Sequence, residues 1–238
     1  MSVREAFPEF EKPSVAVDTV ILRVKDIEES TNKHVSMKQL QVLLVKQQGK
    51  DFWHLPGTIL RLGETPNDAI GRIMKNKVNV KDTHFEQLYT VADNVERDKR
   101  GHIISIVYIG MHKDMSVAAF ADDTEYKSQW FWVGRLFSGQ KNREFTGEDT
   151  HESIEYLGYD HAGIISDSIN RLKGKLMYTD IGFEFIGDMF TLRDLENSFT
   201  AINERIIPGF RRFIANKVQK TGIMSDGKAY RPAELYRK

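Results

Sequence analysis

Glu64 and Arg72 stand eight residues apart, preceded by Trp53 and Arg61, in a stretch that opens Leu55-Pro56-Gly57 and continues through Gly63-Glu64-Thr65. A carboxylate suits a hard cation, arginine suits an anion and tryptophan offers a stacking surface. Trp53, Arg61, Glu64 and Arg72 are therefore the candidate ligand contacts, with a purely structural role as the competing reading for Arg72. One carboxylate cannot assemble a metal site. Glu86, Glu96 and Glu125 remain as candidates for an alternative acidic set. There is no G-x-S-x-G, no Walker loop and no zinc-spaced histidine pair. The absence of cysteine removes disulfides, thiol chemistry and Cys-ligated metals together. No catalytic residue, metal or cofactor is expected.

Charge gives the second signal. The chain balances 34 Lys and Arg against 34 Asp and Glu, yet residues 205–238 hold nine of the cations and two of the acids. The tail is thus +7 and the remainder −7, an asymmetry expected when one end meets a polyanion. Arg211, Arg212, Lys217, Lys228 and Arg231 in this tail, with Thr191 and Arg193 before it, are the candidate nucleic-acid contacts. For each cation alone, a solvated surface position is the competing reading.

The elements that must position these residues follow from hydrophobic periodicity. Residues 15–25 and 38–47 read as strands joined by a charged loop, and Phe52–Leu55 as a short strand ended by Pro56-Gly57. Residues 65–78 switch to helical period, with Thr65 as N-cap, Pro66 at the first helical position and Asp68 completing a capping-box-like start. Ala69, Ile70, Ile73, Met74 and Val78 form its buried stripe. Leu88–Asp93, Ile103–Met111 and Trp130–Val133 read as further strands. From Asp160 the chain turns helical: one helix carries Ile164, Ile165, Ile169 and Leu172, a second runs Leu192–Asn203 capped by Thr191, and a third begins near Pro208 with Phe210, Phe213, Ile214 and Val218 on its apolar face. A hairpin through Gly222–Met224, a Ser225-Asp226-Gly227 turn and Ala229–Pro232 closes the chain. The class is α+β, divided as residues 1–157 and 158–238. No run approaches the roughly 20 apolar residues of a membrane span, and the N-terminal residues lack the apolar stretch of a secretory signal. A cytoplasmic location without membrane contact is expected.

The Leu55–Thr65 stretch resembles the start of a Nudix box, whose pattern is G-x5-E-x7-R-E-U-x-E-E-x-G-U with U aliphatic. Placed on Glu64, the pattern's arginine falls on Arg72. Nudix enzymes cleave a diphosphate linkage with Mg²⁺ held by helix glutamates spaced to share one face. Ile73, Asn76 and Lys77 occupy those positions here, while Thr58 and Asn79 replace the box's glycines. The resemblance therefore implies a Nudix-like mixed sheet flanked by helices that binds a diphosphate-containing or sugar ligand without hydrolysing it. A bare scaffold and a pyrophosphatase with an atypical metal site stay open.

The last part is similar to the winged helix-turn-helix of the Nudix-related transcriptional regulators. The similar residues are Asp160-His161 with Arg171-Leu172, Phe190 to Leu195, Phe210-Arg211-Arg212 and Tyr230 to Tyr236. The family often has Asn where this sequence has Gly209. What the resemblance implies is a homodimeric repressor of NAD-metabolism genes that binds operator DNA and answers to ADP-ribose or a related nucleotide sugar. A pentose-responsive regulator of the same build is the alternative. Arg211 and Arg212 would reach base edges or phosphate, Thr191 and Arg193 the backbone, and Lys228 and Arg231 a flanking phosphate or the minor groove.

Overall fold

The structure, a computed structural model, describes residues 12–26, 38–78, 80–113, 125–133, 145–146, 153–154, 157–225 and 232–238. Strand β1 (Ser14–Asp26) is buried along almost its whole length, which explains its near-continuous run of Val, Ile and Leu: a strand covered on both faces has no solvent side to mark. It pairs antiparallel with β2 (Lys38–Gln47) and with β3 (Gly57–Ile59), and parallel with β5 (Ile103–His112). With β4 (Thr83–Val91) and β6 (Tyr126–Trp132) the order is β4-β5-β1-β2-β6, β3 lying against β1. Phe52–Leu55, expected as a strand, makes only two isolated bridges, Val45 with His54 and Trp53 with Leu157. Two short strands, β7 (Phe145–Thr146) and β8 (Ser153–Ile154), pair with each other.

Side chains alternate across the sheet. Val17 and Ile21 point to one face, and Val20, Leu22 and Val24 to the other. The first face is covered by α1 (Pro66–Ile73), opened by the expected capping box of Thr65 and Asp68. The expected helix to residue 78 does not continue as α-helix: Met74–Val78 is a π-turn. Its wider winding suits the stripe. Ile73 packs with Val17 and Tyr108, and Val78, five residues on, reaches the cluster of Ile21, Leu43 and Trp130. Such turns are rare and often mark functional sites.

The second face is covered by α2 (His161–Leu176), which buries the expected Ile164, Ile165, Ile169 and Leu172, and by α3 (Leu192–Asn203). Thr191 caps α3 as expected, accepting a hydrogen bond from the Asp194 amide at 3.1 Å. A 3₁₀ turn at Ile181–Phe185 and strand β9 (Phe190–Thr191) precede it. Helix α4 (Phe210–Ile214) is shorter than its apolar pattern suggests: the Lys217 amide bonds the Ile214 carbonyl at 2.8 Å in a closing turn. Val218 still packs on the core. Strands β10 (Gln219–Met224) and β11 (Glu234–Arg237) form the hairpin, and β11 also pairs with β9, giving a small three-stranded sheet. Asp226 and Gly227 of the expected hairpin turn, and residues 229–231, lie outside the described residues, while the Ser225 amide bonds the Ala233 carbonyl at 2.8 Å. One core runs from Val20 and Val107 of the large sheet through Ile165 and Phe199 to Phe210 and Ile214. No helix among the described residues is long and apolar enough to cross a membrane.

Candidate ligand pocket and nucleic-acid interface

At one end of the large sheet five segments converge on a pocket. Strand β1 contributes Asp18, β3 Gly57, the π-turn Lys77, the β4–β5 connection Arg97 and Arg100, and the start of α2 Tyr159 to His161. A Cβ on Gly57 would stand 2.0 Å from Asp18 Oδ1 and 3.2 Å from the Val17 carbonyl, so only glycine lets β3 approach β1 this closely.

The pocket's charges are arranged in pairs. The Arg97 guanidinium donates to both carboxylate oxygens of Asp160 at 2.7 Å and to Ser105 Oγ at 2.7 Å. That fork ties the β4–β5 connection to the first residues of α2. Arg100 is paired with Asp98 at 2.6 Å and lies 4.8 Å from the centre of the Tyr159 ring. Lys77 donates to the Gly57 carbonyl at 2.7 Å and sits 4.2 Å from the centre of the Tyr126 ring. Tyr126, Tyr159, His54 and His161 line the cavity as a continuous set of rings.

Both histidines are held neutral. The Leu55 amide donates to His161 Nδ1 at 2.8 Å, and His54 Nδ1 donates to the Leu55 carbonyl at 2.8 Å. Burial lowers the pKa of His161, and it is the largest influence that brings His54 down to about 4 from 6.5. With the folded value below the unfolded one, the unfolded chain binds the proton first as pH falls. Stability is therefore complete above pH 6.5 and declines toward pH 4, by about 3 kcal/mol for His54 at full protonation. Urea unfolding across this range tests it: His54→Gln flattens the slope, and an unchanged slope in that variant would remove His54 as its source.

The structure places the four sequence-predicted ligand residues elsewhere. Trp53 is fully buried, its ring 4.9 Å from that of Phe131, so it belongs to the core and offers no face to a ligand. Glu64 and Arg72 are brought together, but with each other: Arg72 donates from Nε and Nη2 to the two Glu64 oxygens at 2.8 and 2.7 Å, and from Nη1 to Thr58 Oγ1 at 2.6 Å. Arg72, followed by the Arg61 amide, holds the Glu64 carboxyl down at about 2. Thr58, standing where a box glycine would be, is thus part of a clasp that folds the 57–64 loop onto α1. The Arg61 side chain is exposed. The alternative acids are dispersed: Glu86 pairs with Lys175, and Glu125 accepts from Gln47. Among the described residues no group of three or more His, Cys, Asp or Glu could hold a metal. The pocket residues that sequence reasoning missed are Asp18, His54, Arg97, Arg100, Tyr126 and Tyr159. Only the charged run Arg97-Asp98-Lys99-Arg100 between two strands carried a local signal.

In the C-terminal part of the chain, Arg211 and Arg212 occupy the first turn of α4 and are exposed, with Phe210 and Ile214 anchoring the helix in the core. Gly209 before them has φ +69°, a left-handed conformation that glycine and asparagine tolerate best. The backbone thus accounts for either residue at this position. Arg193 is exposed on α3. Thr191 keeps its hydroxyl for the cap, donating to Asp194 Oδ2 at 2.7 Å. Lys217 is committed within the domain, to Asp180 at 3.0 Å. Lys228 and Arg231 lie outside the described residues.

Residues 182–237 match the family model of the NrtR DNA-binding winged helix domain. Over 212 residues the chain is 24% identical to the ADPR responsive transcriptional repressor NtrR of Acinetobacter baylyi, spanning 85% of this chain and 77% of that protein. Over 158 residues it is 34% identical to an ADP-ribose pyrophosphatase of Methanocaldococcus jannaschii, spanning 65% of this chain and 72% of the other. The crystal structure of Shewanella oneidensis NrtR complexed with a 27mer DNA shares the fold, with a TM-score of 0.67 over 94% of this chain and 92% of that one at 24% identity.

Proposed function

The chain belongs to the Nudix-related transcriptional regulators, and from that premise we propose that it is a repressor whose Nudix-like part, residues 1–157, senses ADP-ribose or a related nucleotide in a pocket completed by Tyr159 to His161, and whose part 158–238 carries the winged helix that reads operator DNA. The observation that carries the reading is the pairing, within one chain, of a pocket lined by cations and aromatic rings with a winged helix that turns Arg211 and Arg212 to solvent. The rings suit a base or sugar face, and the cations suit phosphate. Arg97 and Asp160 connect that pocket to the start of α2, so a ligand that competes for Arg97 acts on the helix leading into the reader. A homodimer on a palindromic operator in the cytoplasm completes the proposal, since the two-fold axis of such a protein matches that of its site. NAD-metabolism genes are the first expected targets.

Hydrolysis is not part of it. A Nudix magnesium site draws on several carboxylates of the box helix. Here Ile73 is buried and apolar, Asn76 is neutral, Lys77 is cationic, and the Glu64 carboxylate is taken by Arg72. These residues do not fit the metal. Purified protein incubated with ADP-ribose and Mg²⁺ is expected to leave it intact, and clear turnover would overturn this part. The regulatory part is tested by mobility shift on DNA upstream of the chain's own gene, at low salt where phosphate contacts are strongest. Release of shifted DNA by ADP-ribose supports the reading. A shift indifferent to ADP-ribose moves the effector to sugars and their phosphates, and no shift on any fragment removes the reader.

A further inference from the structure

The pocket holds one cation that differs from the others. Arg97 and Arg100 are each matched by a carboxylate at 2.7 and 2.6 Å. Lys77 forms no ion pair among the described residues: its partners are a carbonyl oxygen and the Tyr126 ring face. An ammonium has three donors. The Gly57 carbonyl takes one, leaving donors for a ligand oxygen entering the pocket.

Its position is set by the fold. Counted from Glu64, Lys77 occupies one of the positions that Nudix enzymes fill with metal-binding glutamates. The π-turn Met74–Val78 carries it there, with Val78 buried against Trp130 as the adjoining anchor. The carboxylates whose charge acts on it are Glu125 and, in the same pocket, Asp18 on β1. Their attraction does not cancel the burial of the ammonium, which lowers the lysine's pKa. A partly desolvated cation without a close counter-charge gains most when an anion arrives.

We propose that the Lys77 ammonium takes over the electrostatic task of the missing metal, as a built-in counter-charge for the diphosphate of the bound ligand, so that binding requires no divalent cation. The proposal deepens the sensor reading given above and rests on it for the nucleotide, though not for the anion. It also separates recognition from chemistry. An ammonium offsets phosphate charge, but it supplies no coordinated water to act as a nucleophile. A lysine in place of a metal is therefore suited to retaining a diphosphate ester intact.

The test is calorimetric titration of the full chain, with EDTA or with MgCl₂, using ADP-ribose and, separately, inorganic pyrophosphate. The wild type is expected to bind both, with the same affinity in EDTA as in magnesium. Lys77→Met is expected to weaken both by about 10- to 100-fold, as for the loss of a charge-assisted hydrogen bond, while Lys77→Arg, which keeps the charge, retains most of the affinity. A thermal melt of each variant monitors the fold. Binding by the wild type that requires magnesium overturns the proposal without using any variant, and so does Lys77→Met binding like the wild type. Metal-free, Lys77-dependent binding of pyrophosphate without binding of ADP-ribose sustains the role of Lys77 and removes the nucleotide reading. Failure of the wild type to bind either anion overturns both.

Discussion

Replacing Arg211 and Arg212 together with alanine is expected to lower affinity for the specific operator by about 100-fold or more while leaving the fold unchanged. Both guanidinium groups are exposed on the first turn of α4, where a recognition helix presents its side chains to the major groove. A bidentate arginine–guanine contact is worth about 1–3 kcal/mol of discrimination, and two such contacts multiply to the stated loss. The variant is expected to fold because neither side chain supports the core, which Phe210 and Ile214 fill from the same helix. Fluorescence anisotropy over a range of salt separates the two possible roles. If one arginine contacts only phosphate, its single replacement weakens binding to all sequences alike and reduces the salt slope by about 1. If the double variant binds as tightly as the parent, α4 is not the reading helix.

Phe199→Ala is expected to have the largest effect on stability. Phe199 is almost fully buried in α3, with ring centres of Phe183, Phe210 and Phe213 at 6.0, 5.2 and 6.2 Å. The space beside it is tightly filled: a Cβ on Gly182 would stand 2.4 Å from the Phe199 ring. Truncation of such a ring costs about 3–5 kcal/mol, a large share of the stability of an ordinary domain. Urea unfolding measures it, and a loss below about 1 kcal/mol would show that the cluster collapses into the void. Operator affinity should fall with stability, because Phe210, which anchors Arg211 and Arg212, loses its packing partner.

Regular elements were legible in the sequence where periodicity was strong. Strand β2 at Lys38–Gln47 and helix α3 at Leu192–Asn203 coincide with their expected bounds. Strand β4 starts five residues before its expected Leu88, and β6 starts at Tyr126 instead of Trp130, because their polar and half-exposed residues blur the alternation. Nothing local announced that β9 would pair with β11, since that pairing joins segments more than forty residues apart.

The site was harder for the same reason. Asp18, Lys77, Arg97 and Asp160 come from four elements, and only sheet closure brings them to one place. Trp53 and His54 show how narrow the margin was. In the extended segment alternate residues face opposite ways, so Trp53 turns to Phe131 and the core while His54 lines the pocket. The arginine and carboxylate of the box were recognisable, but sequence could not tell whether they faced a ligand or each other.

The uninterrupted apolar interior that runs from the large sheet into the winged helix bears on how such a protein can be dismantled. Helix α2 lays Ile164, Ile165 and Ile169 on the sheet, and α3 adds Phe199 and Ile202 to the same interior. Cutting the chain ahead of α2 would expose both surfaces to water at once, so the reader is poorly suited to transplantation as a cassette. The two halves should melt in one cooperative step, and damage on either side should be felt by both. Signal transmission then needs no flexible hinge, because a change in the pocket that displaces α2 must be accommodated by the packing beneath α3 and α4.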